Sequence, residues 1–264
     1  MQLHSTTPNY IRAEAKSLAL LQRFDIGTPN FDVEDIAYAL RIEVIFGGVS
    51  AGDARIVRRN DGSGVIRLNK SIVARPRQRF SIAHELGHWE MHPLIKQGFL
   101  CTGQNLRDYG RSPEEAEANW FAATLLMPKF LIPHSVFKKD PNFDFVAQLA
   151  GDFGTSLTAA ARRFVELSNQ PIVLVASSSG SVDWIARSKP AIDKYLFVKP
   201  GSSLPNDSLT AEVFSTKPQE PRSAAVDPLI WFPDSHFDDD AELFEHSKYS
   251  EIYESALTLL WLPQ

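Results

Sequence analysis

At 264 residues, with 44% apolar and 22% charged side chains, the chain is long enough for one large domain or two small ones and rich enough to build a core. A formal net charge of −5 excludes broad electrostatic binding of nucleic acid by the whole surface, and no run of about 18 apolar residues offers a membrane span. The single cysteine, Cys101, excludes an intramolecular disulfide framework, and the opening MQLHSTTPNYIRAEAK lacks the apolar stretch of a signal peptide, so a reducing, cytoplasmic setting is expected.

In chain order, YIRAEAKSLALLQRF (residues 10–24) spaces Ile11, Ala15 and Leu18 by three and four and predicts a helix. FDVEDIAYAL predicts a second, with Asp32 as N-cap and Asp35 in the first turn. The period then changes. RIEVIF, ARIVRR and GVIRLN predict short strands, the last two joined by the hairpin turn NDGS at 60–63. A helix follows from Pro76 to Met91, with proline in the first turn where it is tolerated.

Residues 93–112 show no period and predict a long loop, a length that is uncommon unless functional. Ser112-Pro113 opens another helix through EEAEANWFAATLL, which Pro128 stops. Residues 143–168, FDFVAQLAGDFGTSLTAAARRFVELS, predict two short helices around a turn at Gly154, with Ser156 capping the second. Beyond Pro171 the texture is β: IVLVAS, VDWIA, KYLFV, AEVFS and ALTLLWL predict strands, SSSGS a turn, and PRSAAVDP and PDSHFDDDAE loops. Helices before about residue 170 and strands after it place a boundary there. No internal repeat is found.

The stretch RFSIAHELGHWEMH (79–92) holds His84, Glu85 and His88 in the spacing H-E-x-x-H. Residues four apart share a helix face, so His84 and His88 can turn ring nitrogens to one ion. Glu85, about 100° round the helix, can take a proton from the attacking water without being a ligand. Ile82, Leu86 and Trp89 form a separate apolar stripe. Gly87 costs about 1 kcal/mol in a helix relative to alanine, which makes sense where another backbone passes close by.

A catalytic zinc site needs a third protein ligand and an open position. Met91 and Leu94 occupy the glycine and histidine places of the longer pattern H-E-x-x-H-x-x-G-x-x-H, and His92, one turn beyond His88, reads as a surface or outer-shell residue. Glu115 is the candidate, with Asn119 on the same helix face to hold a ligand histidine by its other ring nitrogen. Two alternatives stand beside it. Ser112 and Glu115 spell S-x-x-E, a capping box, and Glu117 is another carboxylate about 200° round the helix. The ligand set favours Zn2+, with Mn2+ also accepted by such donors.

HELGH, followed 27 residues after His88 by EAEANWFAATLLMP, resembles the ImmA/IrrE family of metallopeptidases, most closely its IrrE branch. The resemblance runs from about residue 10 to 168 and more loosely through LTLLWLP. It implies an α+β chain in three parts: a gluzincin-type metallopeptidase core with a short antiparallel or mixed sheet at 1–140, a helix-turn-helix-like segment at 141–170, and a β-rich, antiparallel, GAF-like sensor or docking domain at 171–264. It implies zinc ligands His84, His88 and Glu115 with Glu85 as catalytic base, and no departure is found at these four positions. It further implies cleavage of a helix-turn-helix repressor of the XRE type, derepressing stress-response or mobile-element genes. A small-molecule ligand for the C-terminal domain rests on the resemblance alone.

The alternative is a zinc-containing sensor that binds a repressor or DNA without cutting; a general peptidase is a third reading. GVIRLN is the candidate strand for pairing with an extended substrate. Tyr109, Arg107 and Arg111 lie in the intervening loop, and nothing selects one of them as the oxyanion donor. Arg162 and Arg163 have the placement for phosphate contact, although direct DNA binding is not expected of an acidic chain. Cys101 reads as a small apolar residue rather than a redox switch, and His236 and His246 as part of a solvated acidic loop rather than a second metal site.

Overall fold

Helix α1 (Tyr10–Arg23) starts at Asn9, whose side chain accepts the Arg12 N–H. The computed structural model describes residues 7–49, 52–92, 112–238 and 240–263. Helix α2 (Val33–Ala39) begins after Asp32 as expected, but Asp32 makes no side-chain cap bond. Its carboxylate instead pairs with Arg75 at 2.8 Å, and Arg75 also pairs with Glu34.

Strands β1 (Ile42–Gly47), β2 (Ala54–Arg58) and β3 (Gly64–Asn69) form a sheet in the order β1-β3-β2. The predicted hairpin joins β2 and β3 antiparallel, while β1 runs parallel to β3, so the sheet is mixed. Its turn is held by Asp61, which accepts the Ser63 N–H at 2.9 Å and the Ser63 hydroxyl at 2.6 Å, and by Gly62 at φ +81. GVIRLN is therefore the central strand, with both of its edges already paired. It cannot take the substrate-pairing role, and the edge beside the next helix is β2.

Helix α3 (Arg75–Met91) packs on this sheet and against α4 (Pro113–Leu126). Ile42, Ile66, Leu68, Ile82, Leu86 and Phe121 meet in one core. The stripe expected on α3 exists, but burial does not stop at it: every residue from Ser81 to His88 is buried, because α4 covers the histidine face as well. The two helices touch at Gly87. A Cβ there would lie 3.0 Å from the Ala118 Cα and 3.2 Å from its carbonyl oxygen, which is the close backbone approach that the poor helix former foretold. Gly87→Ala is expected to lower stability by about 1–3 kcal/mol from overpacking, outweighing the gain of about 1 kcal/mol in helix propensity. A rise in thermal midpoint would show that the helices can part at no cost.

Two 3-10 turns follow (Lys129–Leu131 and His134–Lys138), then α5 (Phe143–Phe153) and α6 (Leu157–Leu167). The turn between α5 and α6 places Gly154 at φ +60 with Asn30 packed where a side chain would stand. Strands β4 (Ile172–Ser178) and β5 (Ser181–Arg187), helices α7 (Lys189–Asp193) and α8 (Leu209–Thr216), strand β6 (Arg222–Val226), helix α9 (Pro228–Trp231) and strands β7 (Leu243–Ser250) and β8 (Ser255–Trp261) complete the chain. Their five strands form an antiparallel sheet in the order β5-β4-β8-β7-β6. The chain divides into two compact units, residues 1–132 with 151–156 and residues 133–150 with 157–264. The described residues thus form a mixed α+β structure with two sheets. Among the described residues no helix is long and apolar enough to cross a membrane.

Several C-terminal expectations need correction. AEVFS lies in helix α8, where the Ser208 hydroxyl accepts the Ala211 N–H and caps the start. KYLFV keeps its alternation, with Leu196 and Val198 buried and Tyr195 and Phe197 exposed, but pairs with no strand among the described residues. PRSAAVDP supplies strand β6, and LFEHSKYS, which carries no clear strand pattern, is β7. His246 is not in a solvated acidic loop as expected: it lies on β7, is buried and accepts the Phe143 N–H at 3.0 Å through Nδ1.

Burial, helped by the nearby Lys248 and opposed by Asp144, lowers the His246 pKa below its ordinary 6.5. Above that value the ring is neutral in both states and imposes no cost. As pH falls below about 6.5 the unfolded chain takes up the proton while the folded one resists it, so stability declines until the lower folded value is passed. His246→Gln is expected to flatten this part of an acid denaturation curve; an unchanged curve would rule the ring out as its source.

Candidate metal centre

His84 and His88 stand one turn apart on α3 and face α4, whose first turn carries Glu115. Their Nε2 atoms are 3.0 Å apart. Glu115 Oε2 lies 3.4 Å from His84 Nε2, and Oε1 lies 3.3 Å from His88 Nε2. All three residues are buried. Among the described residues this is the one group of three His, Cys, Asp or Glu side chains whose ligand atoms lie within 4.8 Å of one another. Tetrahedral ligands about 2.0–2.1 Å from a zinc ion sit roughly 3.3 Å apart, so the donor atoms already have the spacing of a ligand shell.

The outer nitrogens define the inner ones. His84 Nδ1 is 2.9 Å from Asn119 Oδ1. An amide oxygen only accepts, so Nδ1–H donates and the neutral ring turns the Nε2 lone pair inward. Ser112 caps α4 by accepting the Glu115 N–H at 3.3 Å, while the Glu115 carboxylate faces the histidines. Half of the capping box is present, and it leaves the carboxylate available for the cluster.

Electrostatics agree with a cation at the centre. Burial opposes ionisation of Glu115, but hydrogen bonds and charge from His84 and His88 outweigh it and hold the carboxyl well below its usual range. The two histidines part ways. Burial lowers the His88 pKa to about 4, aided by the charge of His84. For His84 burial is overcome by the Glu115 hydrogen bond and by the Glu85 and Glu115 charges, and its pKa is raised.

Glu85 is buried beside the trio, and its Oε2 accepts the Ile56 N–H of β2 at 2.9 Å. The structure therefore brings His84, Glu85, His88, Glu115 and Asn119 together. Of the two places expected for His92, the surface or the outer shell, it shows the second, and it excludes the Glu117 alternative. His92 is not a surface residue: its side chain is 8% exposed, with Nδ1 3.1 Å from His88 Nδ1 and Nε2 2.8 Å from Glu117 Oε2. Glu117 points at His92 rather than into the trio. The signal for this pair was the 84-88-92 spacing of histidines, which puts all three on one stripe of α3.

Arg163 is 1% exposed, and Arg162 pairs with Glu166 at 3.1 Å and lies 5.5 Å over the Trp184 ring. Phosphate contact, considered for this pair but not favoured, is not what these placements offer. Cys101, Arg107, Tyr109 and Arg111 lie outside the described residues.

Residues 37–165 match the Peptidase_M78 family model, described as the IrrE N-terminal-like domain. All five site residues fall within this span. No curated protein matches the chain. Among solved structures, a Mycobacterium tuberculosis transcriptional regulator is similar at 15% identity, with a TM-score of 0.61 over 96% of this chain and 79% of that one. At that identity the likeness concerns the fold.

Proposed function

The chain carries an IrrE N-terminal-like domain over residues 37–165, and from this premise we propose that it is a zinc-dependent metalloendopeptidase whose substrate is an XRE-type repressor. The observation that carries the catalytic part is the buried His84, His88 and Glu115 trio at ligand spacing, with the Glu85 carboxylate beside it. Support for the substrate class comes from the family resemblance, as does a GAF-like sensor or docking role for residues 171–264.

His84, His88 and Glu115 would hold the ion. Bound there, it would polarise the scissile carbonyl and acidify the attacking water. Glu85 takes the water's proton and returns it to the leaving amine. The Ile56 N–H holds Oε2, so Oε1 is the atom assigned to the proton. Two histidines and one carboxylate favour zinc over manganese. An extended substrate would add to β2, the edge strand that already touches Glu85.

The test is intact-mass spectrometry of an XRE-type repressor incubated with the protein, with a chelator and with Glu85→Gln in parallel. Two defined fragments, absent in both controls, are expected. An uncut repressor that nonetheless binds the zinc-loaded protein would favour the second reading, a regulator that acts by binding.

A further inference from the structure

We propose that Glu117 and His92 are positioning residues that fix the ring of His88 for the metal, through a chain of hydrogen bonds anchored on the backbone of Asn9. This rests on the metal site proposed above and extends it to residues with no ligand role. The Asn9 N–H donates to Glu117 Oε1 at 2.7 Å. His92 Nε2 lies 2.8 Å from the other oxygen, Oε2, and His92 Nδ1 lies 3.1 Å from His88 Nδ1.

Each step of the chain has one polarity. An ionised carboxylate only accepts, so His92 Nε2 carries the hydrogen and donates it. The neutral His92 ring is then an acceptor at Nδ1, and His88 must donate Nδ1–H to it. That leaves the His88 Nε2 lone pair directed at His84 Nε2 and Glu115. Glu117 suits the anchor because both of its oxygens face donors; an amide in its place would turn an N–H toward one of them. The side chains of His92 and Glu117 are 8% and 11% exposed, so solvent competes little for these bonds. The two ligand histidines are thus oriented by different means: His84 by Asn119 directly, and His88 by a relay that reaches α1.

The experiment is zinc affinity of the full chain by competition with a chromophoric chelator, alongside thermal midpoints to establish that each variant is folded. His92→Phe keeps a ring of similar shape and no hydrogen bond; Glu117→Ala removes the anchor. Each is expected to weaken zinc binding by about 10- to 100-fold. The double variant is expected to be little worse than either, because the residues act as one chain. His92→Gln, which can accept from His88 and donate to Glu117, is expected to recover much of the loss. Wild-type affinity in folded His92→Phe and Glu117→Ala overturns the relay and leaves the metal site standing, as does equal loss in the Phe and Gln variants. Zinc binding too weak to measure in the wild type overturns the metal site and the relay together.

Discussion

Replacing Glu85 with glutamine is expected to reduce repressor cleavage by about 10²- to 10⁴-fold, the usual contribution of a positioned general base, while zinc stays bound at one ion per chain. The geometry separates these effects. Glutamine has nearly the shape of glutamate, and its carbonyl oxygen can still accept the Ile56 N–H that now reaches Oε2 at 2.9 Å. His84, His88 and Glu115 supply the donors at the centre, so the ion has no need of Glu85. What is lost is the capacity to take a proton. Glu115→Ala gives the contrasting result, with activity and metal lost together, because it deletes one of three ligands. Time courses of fragment formation and zinc content on the same samples check both. Full activity of zinc-loaded Glu85→Gln would remove Glu85 from the mechanism.

Glu245→Ala is expected to destabilise the C-terminal unit by about 3 kcal/mol or more, a large part of the 5–15 kcal/mol that holds an ordinary domain. Glu245 is 0% exposed. Its carboxylate accepts the Leu209 and Thr210 N–H groups at the start of α8, the Thr210 hydroxyl and the Trp231 indole N–H. The Thr210 hydroxyl also meets Ser247 at 2.9 Å and Thr258 at 2.6 Å. Each buried donor left without an acceptor costs about 1–3 kcal/mol, and a cavity adds to that. Chemical denaturation measures the loss. A midpoint equal to wild type would mean that α8 and Trp231 find other acceptors, and that this network does not pin the helix to β7.

The candidate metal centre was unusually legible because its parts are local. The H-E-x-x-H spacing places both histidines on one face by helix geometry alone, and Ser112, Pro113 and the alternating acidic and alanine residues mark the start of the second helix. Even the reason for Gly87 was visible in its cost. The His92 and Glu117 pair was harder to see. A histidine one turn beyond the motif looks exposed until α4 and the Asn9 backbone close over it.

The sequence by itself determined the elements whose signals lie within one turn or one hairpin: α1 to α4, the NDGS hairpin, the Gly154 turn and the buried strand IVLVA. It also determined which residues could serve as ligands, because that depends on residue type and spacing. Tertiary structure decided the rest. Ladder order made GVIRLN central and β2 the edge. KYLFV had strand propensity but no neighbour to pair with, and a strand exists only when its backbone groups find partners. AEVFS became a helix because Ser208 caps it and Glu245, 35 and 36 positions along the chain from Thr210 and Leu209, receives the helix's first N–H groups. LFEHSKYS became a buried strand although it carries Glu245 and His246, because distant segments supply a partner for each: α8 and Trp231 for the first, the Phe143 N–H for the second. A buried polar group is stable only when satisfied, and satisfaction by residues far away in sequence leaves no local pattern to read.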